Sequence, residues 1–272
     1  MNKNLFLLLT IQVVSLCLKA QQYNMDSLNR EAAKTEIYSP VPRVVTAEAT
    51  HQKAPSDAII LFNGKDLSAW NGDDSTKPIT WKVTDGILIV DNSHGYGGIN
   101  TKQKFTDYQL HLEWREPADV MGEGQSRGNS GVNLAVFSYF PISGIYLERG
   151  YEIQILEDYN NNNKTYVNGQ AGSLYKQSAP LVNACKKPGE WQTYDIFWKA
   201  PRFNNDGSLK TPAYVTVVQN GVMIQNNTEV QGETLWVGKP GYTMHGACPI
   251  RLQSHGDPGP TVSFRNIWIR TL

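Results

Sequence analysis

The sequence predicts an all-β sandwich of antiparallel sheets, and three observations predict it. Short apolar-alternating runs recur at strand spacing from about residue 57 to the C-terminus, Asp-Gly and Asn-Gly turns join several of them, and no stretch of ten or more residues there carries a helical stripe. The composition agrees, because 23 glycines, 14 prolines and 28 aromatics (7 Trp, 13 Tyr, 8 Phe) suit many short strands joined by turns.

The chain opens with a leader. Lys3 supplies positive charge, Leu5 to Leu16 an apolar run and Ala20 a small residue, which predicts a signal peptide over residues 1–20. The run is too short to span a bilayer comfortably, so the expected location is exported: periplasmic, cell-surface or extracellular. A lipid anchor on Cys17 competes with cleavage, but bulky Leu16 stands where a lipoprotein signal has a small residue.

Residues 21–56 carry scattered charge, Pro40, Pro42 and Pro55 and no sustained period, so they read as an extended tether with at most a short helix near Ser27 to Lys34. Residues 57–272 are the expected domain. Its strands are predicted at Ala58–Phe62, Trp81–Thr84, Ile87–Val90, Phe105–Arg115, Val132–Val136, Tyr151–Leu156, Trp191–Trp198, Tyr214–Gln219, Val222–Gln225, Ile250–Gln253 and Val262–Ile269. Asp85-Gly86 and Asn220-Gly221 mark two hairpins. Residues 117–129, 159–169 and 232–247 are left as long loops.

Charge excludes one class of partner. With 25 basic and 25 acidic residues there is no electrostatic footprint for nucleic acid, and loss of the leader removes Lys3 and Lys19 to leave 23 against 25. Export leaves two cysteines, Cys185 and Cys248, which either pair across a long loop or lie buried as separate thiols.

Candidate chemistry concentrates in three places. In Tyr151-Glu152-Ile153-Gln154-Ile155-Leu156-Glu157-Asp158, strand alternation puts Glu152, Gln154 and Asp158 on one face and Ile153 and Ile155 on the other. Carboxylates and an amide in line suit acid–base work or a ligand better than simple wetting; the plain alternative is a half-exposed strand. Glu157 joins Glu152 as a carboxylate pair only if a bulge intervenes. In Arg251-Leu252-Gln253-Ser254-His255, Arg251 and Gln253 share a face that His255 continues, and histidine carries protons near neutral pH. The glycine-rich Arg127-Gly128-Asn129-Ser130-Gly131 allows close backbone approach to a ligand. Among seven tryptophans some offer faces for sugar rings, with Trp114 in the alternating Phe105–Arg115 run put forward here.

Metal signatures are poor, with no Cys-x-x-Cys, no His-Glu-x-x-His and no EF-hand loop, so no metal site and no cofactor is predicted. Asp73-Asp74 and Glu157-Asp158 are the places where a divalent cation such as calcium would find oxygen ligands, although paired loop acids are more often solvated.

Five segments in order resemble the 3-keto-disaccharide hydrolase family of secreted bacterial proteins: Leu61-Phe62-Asn63-Gly64-Lys65-Asp66-Leu67-Ser68-Ala69-Trp70, Trp81-Lys82-Val83-Thr84-Asp85-Gly86, Gly128-Asn129-Ser130-Gly131-Val132, Tyr151-Glu152-Ile153-Gln154-Ile155 and Phe264-Arg265-Asn266-Ile267-Trp268-Ile269. The resemblance spans about residue 57 to the C-terminus and implies a concanavalin A-like jelly-roll sandwich. Glu152-x-Gln154-x-x-Glu157 also resembles the Glu-x-Asp-x-x-Glu signature of laminarinase-type glycosidases, with Gln154 in place of the middle acid, a departure that weakens an ordinary retaining mechanism here.

The resemblance implies a carbohydrate partner and a different route to cleavage. A ketone at C3 makes the C2 proton acidic and sets the glycosidic oxygen β to the resulting carbanion, so elimination followed by hydration breaks the bond. Such a site needs a base, an enolate stabiliser and an acid. The expected catalytic residues are Glu152 and His255 as acid and base, with Arg127 or Arg251 beside the enolate; Asn129, Gln154, Asp158, Gln253 and Trp114 are expected to hold the sugar. The alternatives are a non-catalytic carbohydrate-binding module, since the same sandwich serves lectins, and a surface adhesion protein.

Overall fold

A computed structural model describes residues 25–44, 54–142 and 145–272. The leader expected over residues 1–20, and Cys17 with it, lies outside the described residues. The described chain falls into two compact units, of which one comprises the chain up to Thr35 with Trp236–Gly238 and the other everything else.

In the first unit the helix Met25–Ala33 occupies the place where a short helix was expected. Asp26 in its first turn and Arg30 in its last suit the helix dipole, and the Thr35 hydroxyl donates to the Ala32 carbonyl (3.0 Å) as the chain leaves it.

The second unit is a jelly-roll sandwich of two antiparallel sheets. One sheet has five strands in the order Glu152–Ile155, Ser130–Asn133, Arg251–Ser254, Gly97–Thr101 and Trp70–Gly72. The other runs Val222–Glu229, Tyr214–Gln219, Gln192–Lys199, Tyr108–Arg115, Ser263–Thr271, Ile87–Ile89 and Lys82–Thr84, with Ile59–Phe62 also pairing to Ser263–Thr271. The turns form where the dipeptides predict. Asp85 (φ 50°) with Gly86 (φ 78°), and Asn220 (φ 52°) with Gly221 (φ 83°), take the left-handed conformations that match strand twist in two-residue hairpins.

The core lies between the sheets. Ile99, Val132, Ile153, Ile155 and Leu252 point inward from the five-stranded sheet, and Leu110, Leu112, Trp114, Tyr194, Ile196, Trp198, Val215 and Val217 from the larger one, each at most 1% exposed. A core of this size and aromatic content holds the sandwich rigid and leaves the outer face of the five-stranded sheet free to carry polar groups. Cys185 and Cys248 are both buried and both free, which settles their alternative in favour of separate thiols.

Part of the expected tether is docked on the domain. Within the second unit, the Val167 N–H donates to the Ile37 carbonyl (2.5 Å), Ile37 N–H donates to Asn168 Oδ1 (3.2 Å) and Asn161 donates to the Pro42 carbonyl (2.8 Å). Arg43–Val44 then pairs in parallel with Val182–Asn183. Residues 36–44 therefore strap the 159–183 segment, through backbone pairing that residue composition does not signal.

Candidate active site

The polar face is built by register. Glu152 stands opposite Asn133, Asn133 opposite Arg251, Arg251 opposite Asn100 and Asn100 opposite Asn71, which makes one row across five strands. In the next row Gln154 faces Gly131 and Gln253 faces Gly98. The two glycines explain how long side chains lie flat here. A Cβ on Gly131 would stand 2.3 Å from Glu152 Oε1, and one on Gly98 would stand 2.3 Å from the Leu252 carbonyl and 2.8 Å from the Arg251 guanidinium carbon. Both positions must lack a side chain for Glu152 and Arg251 to occupy the space above them.

Arg251 is the centre of the charge. It is fully buried, donates from Nε and NH2 to the two Asp73 oxygens (3.0 Å each), and lies 5.5 Å over the Tyr96 ring. Its NH1 is 3.1 Å from Glu148 Oε1, near enough for an ion pair but poorly aligned for a hydrogen bond. Asp73 also accepts from Asn100 (3.0 Å) and Tyr139 (3.3 Å). Glu148 accepts from Asn133 (3.1 Å), the Tyr96 hydroxyl (2.6 Å) and Gln253 (3.3 Å). One buried cation is thus held by two acids and an aromatic face, and the pairing keeps the guanidinium protonated.

Glu152 differs from the other two acids. It makes no ion pair with Arg251, and its carboxylate accepts one long hydrogen bond from Gln253 Nε2 (3.4 Å). Burial first, and the Glu148 charge second, push its carboxyl up to about 8 against the pull of Arg251, so near neutral pH it is largely protonated. Gln253 joins it to the rest, because the same Nε2 lies 3.1 Å from the Tyr96 hydroxyl. Gln154 is oriented from its far side, donating to Gln125 Oε1 (2.9 Å), and its own Oε1 has no protein partner.

His255 follows the strand end. Its Nδ1 is 2.9 Å from Asp257 Oδ1, which directs Nε2 away from that carboxylate, and its ring meets the Tyr96 ring edge-on at 6.3 Å. Asn129 is also present, donating to the Gln125 carbonyl (2.6 Å). Together with Val90, Met121 and Pro258, His255 and Asn129 line a cavity in which Asn129 Oδ1 and Asp257 Oδ2 have no protein partner. Two buried acceptors are thus left without a protein partner in residues that line the cavity.

Three sequence candidates lie elsewhere. Trp114 is fully buried in the sandwich core, tilted against Tyr194 at 5.2 Å, so it has no face for a sugar. Alternation had placed it with Leu110 and Leu112, and all three point inward. Arg127 donates to Glu157 (2.5 Å) and to the Val120 and Gly122 carbonyls (3.2 Å each), which pins the 117–129 loop rather than reaching Glu152. Asp158 accepts from the Ala171 N–H (2.7 Å) and is buried, with its charge felt by Cys185 and Tyr194. The strand stops at Ile155, so the alternation that grouped Asp158 with Glu152 does not extend to it. Glu157, turned to Arg127, makes no pair with Glu152.

The acids of Asp73-Asp74 divide. Asp73 joins Arg251, while Asp74 stays outside and pairs with Thr76 and Lys77. Among the described residues no three His, Cys, Asp or Glu side chains gather as a metal ligand set, and no helix is long and apolar enough to cross a membrane. Asp73, Tyr96 and Glu148 are the site residues that sequence reasoning missed. The one signal was Asp73 itself, an acid beside the Trp70 strand that was weighed only as a cation ligand.

Comparison with known proteins decides the family. A family model described as a 3-keto-alpha-glucoside-1,2-lyase-like domain matches residues 57–270. The chain belongs to the 3-keto-disaccharide hydrolase family. A crystal structure of a protein from Parabacteroides distasonis ATCC 8503, assigned as a glycosyl hydrolase, is 51% identical, with a TM-score of 0.72 over 88% of this chain and 95% of that one. Two further proteins of that organism, assigned likewise, share 22% identity (TM-score 0.57, covering 79% of this chain and 94% of that one) and 25% (TM-score 0.53, covering 79% and 99%). No curated protein matches significantly. For a 3-keto-disaccharide hydrolase family member, a role of the hydrolase type on carbohydrate follows at family level, and the jelly roll is the shared fold.

Proposed function

We propose that this chain is an exported enzyme that cleaves 3-keto-glycosides by elimination and hydration. The observation that carries the reading is a largely protonated, buried Glu152 joined through Gln253 and Tyr96 to the neighbourhood of an oriented histidine, His255. Acid–base chemistry needs a proton donor at the leaving oxygen, and burial keeps Glu152 protonated for that role.

In this reading His255 Nε2 takes the C2 proton, with Nδ1 held by Asp257. The electron pair moves into the C2–C3 enolate, on the sheet face that carries the Arg251 guanidinium. The enolate expels the oxygen at C1, which Glu152 protonates as the alcohol leaves. Water then adds across C1 and C2, with hydroxyl to C1 and a proton to C2. Gln154, Gln253 and Asn129 hold ring hydroxyls. The family description, a 3-keto-alpha-glucoside-1,2-lyase-like domain, is in keeping with an elimination across C1 and C2.

Paired native and 3-keto glycosides, presented to wild type, Glu152→Gln and His255→Ala, test it. Turnover of the keto sugars alone, lowered at least 100-fold in each variant, is expected. Full activity in both variants contradicts the assignment, and binding without turnover of either sugar class makes the chain a carbohydrate-binding module.

A further inference from the structure

Residues 36–42 lie upstream of the stretch the family model matches, yet they end beside the proposed site. Tyr38 meets Tyr166 edge-on at 6.2 Å, and the Tyr166 and Tyr175 hydroxyls are 2.8 Å apart. The Tyr175 N–H donates to the Glu152 carbonyl (3.1 Å). Three tyrosines thus lead from the strap to the backbone of the central acid. Burial, as the largest cause, raises both inner phenols.

The outer end of this series is open and the inner end is not. Tyr38 is 60% exposed although its ring already touches Tyr166, which is 7% exposed. Its hydroxyl donates to Glu36 (2.6 Å), and Glu36 in turn lies 3.8 Å from Lys176, whose ammonium sits 5.2 Å over the Tyr166 ring. An exposed aromatic face beside a carboxylate is a combination that recognises a pyranose, with C–H groups on the ring and a hydroxyl on the charge; the buried Lys176 ammonium holds that carboxylate from behind. Two hydrogen bonds, from the Val167 N–H and to the Asn168 side chain, hold Ile37 in place, so the ring is presented rather than left to search.

The similarity to the 51% identical structure reaches this segment's side of the domain. Coverage of 88% of 272 residues is about 239, against 272 − 56 = 216 from residue 57 onward, so at least about 23 shared residues precede residue 57.

We propose that Glu36 and Tyr38, held from beneath by the buried Tyr166 and Lys176, form a distal sugar-binding subsite for a glycan chain whose reacting ring lies over Glu152 and Gln253. This rests on the reading of that face as the reaction centre, and it extends the substrate class to glycosides longer than a disaccharide. Neither strap residue touches the reacting ring in this arrangement, so the subsite acts on affinity and not on chemistry.

Calorimetric titration of the full chain with α- and β-linked gluco-oligosaccharides of two and four rings tests the subsite without requiring turnover. Wild type is expected to bind the four-ring ligand of the accepted linkage about tenfold more tightly than the two-ring one, equivalent to roughly 1.4 kcal/mol. Tyr38→Ala is expected to lose that gain while binding the two-ring ligand as wild type does, and Tyr38→Phe to keep it. The proposal is overturned by no chain-length gain in wild type, by a gain that survives Tyr38→Ala, or by equal weakening of both ligands in that variant. If the Tyr38-dependent gain is present and 3-keto glycosides are not turned over, the subsite stands and the proposed chemistry falls.

Discussion

Arg251 and Asp73, 178 positions apart in the chain, meet in a two-bond ion pair with Nε and NH2 each 3.0 Å from a carboxylate oxygen, and the arginine is wholly buried. A buried cation with two acids around it is stable only while the set is complete, because removing one partner leaves uncompensated charge out of water. Arg251→Met is therefore expected to destabilise the fold by about 3–5 kcal/mol, read from urea denaturation. Adding Glu148→Gln should restore part of that loss, since the substitution removes one of the stranded acids.

Gly131 tests whether the empty space beside Glu152 is needed. An alanine there puts a methyl 2.3 Å from Glu152 Oε1, and the acid must swing away from Gln253. Because the obstructed atom is the end of a side chain, the fold should lose only about 1–2 kcal/mol. Turnover of the substrate should nevertheless fall at least tenfold, with circular dichroism unchanged.

The raised acids fix the sign of the pH dependence. Glu152 holds its proton up to about pH 8 in the fold and releases it near 4.5 when unfolded, and Asp158 behaves alike between 3.8 and about 7. Inside those windows the native state binds more protons than the unfolded one. Their contribution is fully present below the unfolded values and is lost as pH rises through the folded ones. Chemical denaturation should show stability falling by up to about 1.4 kcal/mol per pH unit for each group from pH 5, with the Asp158 contribution levelling off near pH 7 and that of Glu152 near pH 8. Glu152→Gln should flatten the slope and be the more stable protein at pH 8.

Cys185 and Cys248 are expected to be inert thiols. Burial raises both above the ordinary thiol range, which disfavours the reactive thiolate. Dithiothreitol should leave the melting temperature unchanged, and alkylation of either should follow unfolding rather than precede it.

Much of the fold was legible because strand spacing and turn dipeptides are local signals. The hairpins at Asp85-Gly86 and Asn220-Gly221 form as written, and Tyr214–Gln219 has its expected bounds. Trp70–Gly72 and Gly97–Thr101 escaped notice because they contain Asn and Gly, residues that weaken strand propensity. Gly98 is among them for the sake of Arg251, so the feature that hid the strand is the one that makes room in the site.

The candidate site was half legible for a similar reason. Alternation groups Glu152 with Gln154 and Arg251 with Gln253, and the structure sets both pairs on one face. Periodicity says which residues share a face and not which face turns inward, which is how Trp114 entered the candidates. It also cannot say where a strand ends, and Asp158 lies beyond that end. Asp73 and Tyr96 lie just beyond strands of the five-stranded sheet and Glu148 in a separate two-stranded ribbon, and they meet Arg251 only in the folded chain, a relationship that no local pattern encodes.

The measurement that bears most directly on the central claim is turnover of a 3-keto-glycoside in deuterated water, with the released ring read by NMR at C2 before free product exchanges. Elimination and hydration predict one solvent deuterium at C2 in every released ring, and a slower reaction when C2 starts with deuterium in ordinary water. Retention of the original hydrogen at C2 through cleavage would contradict the account.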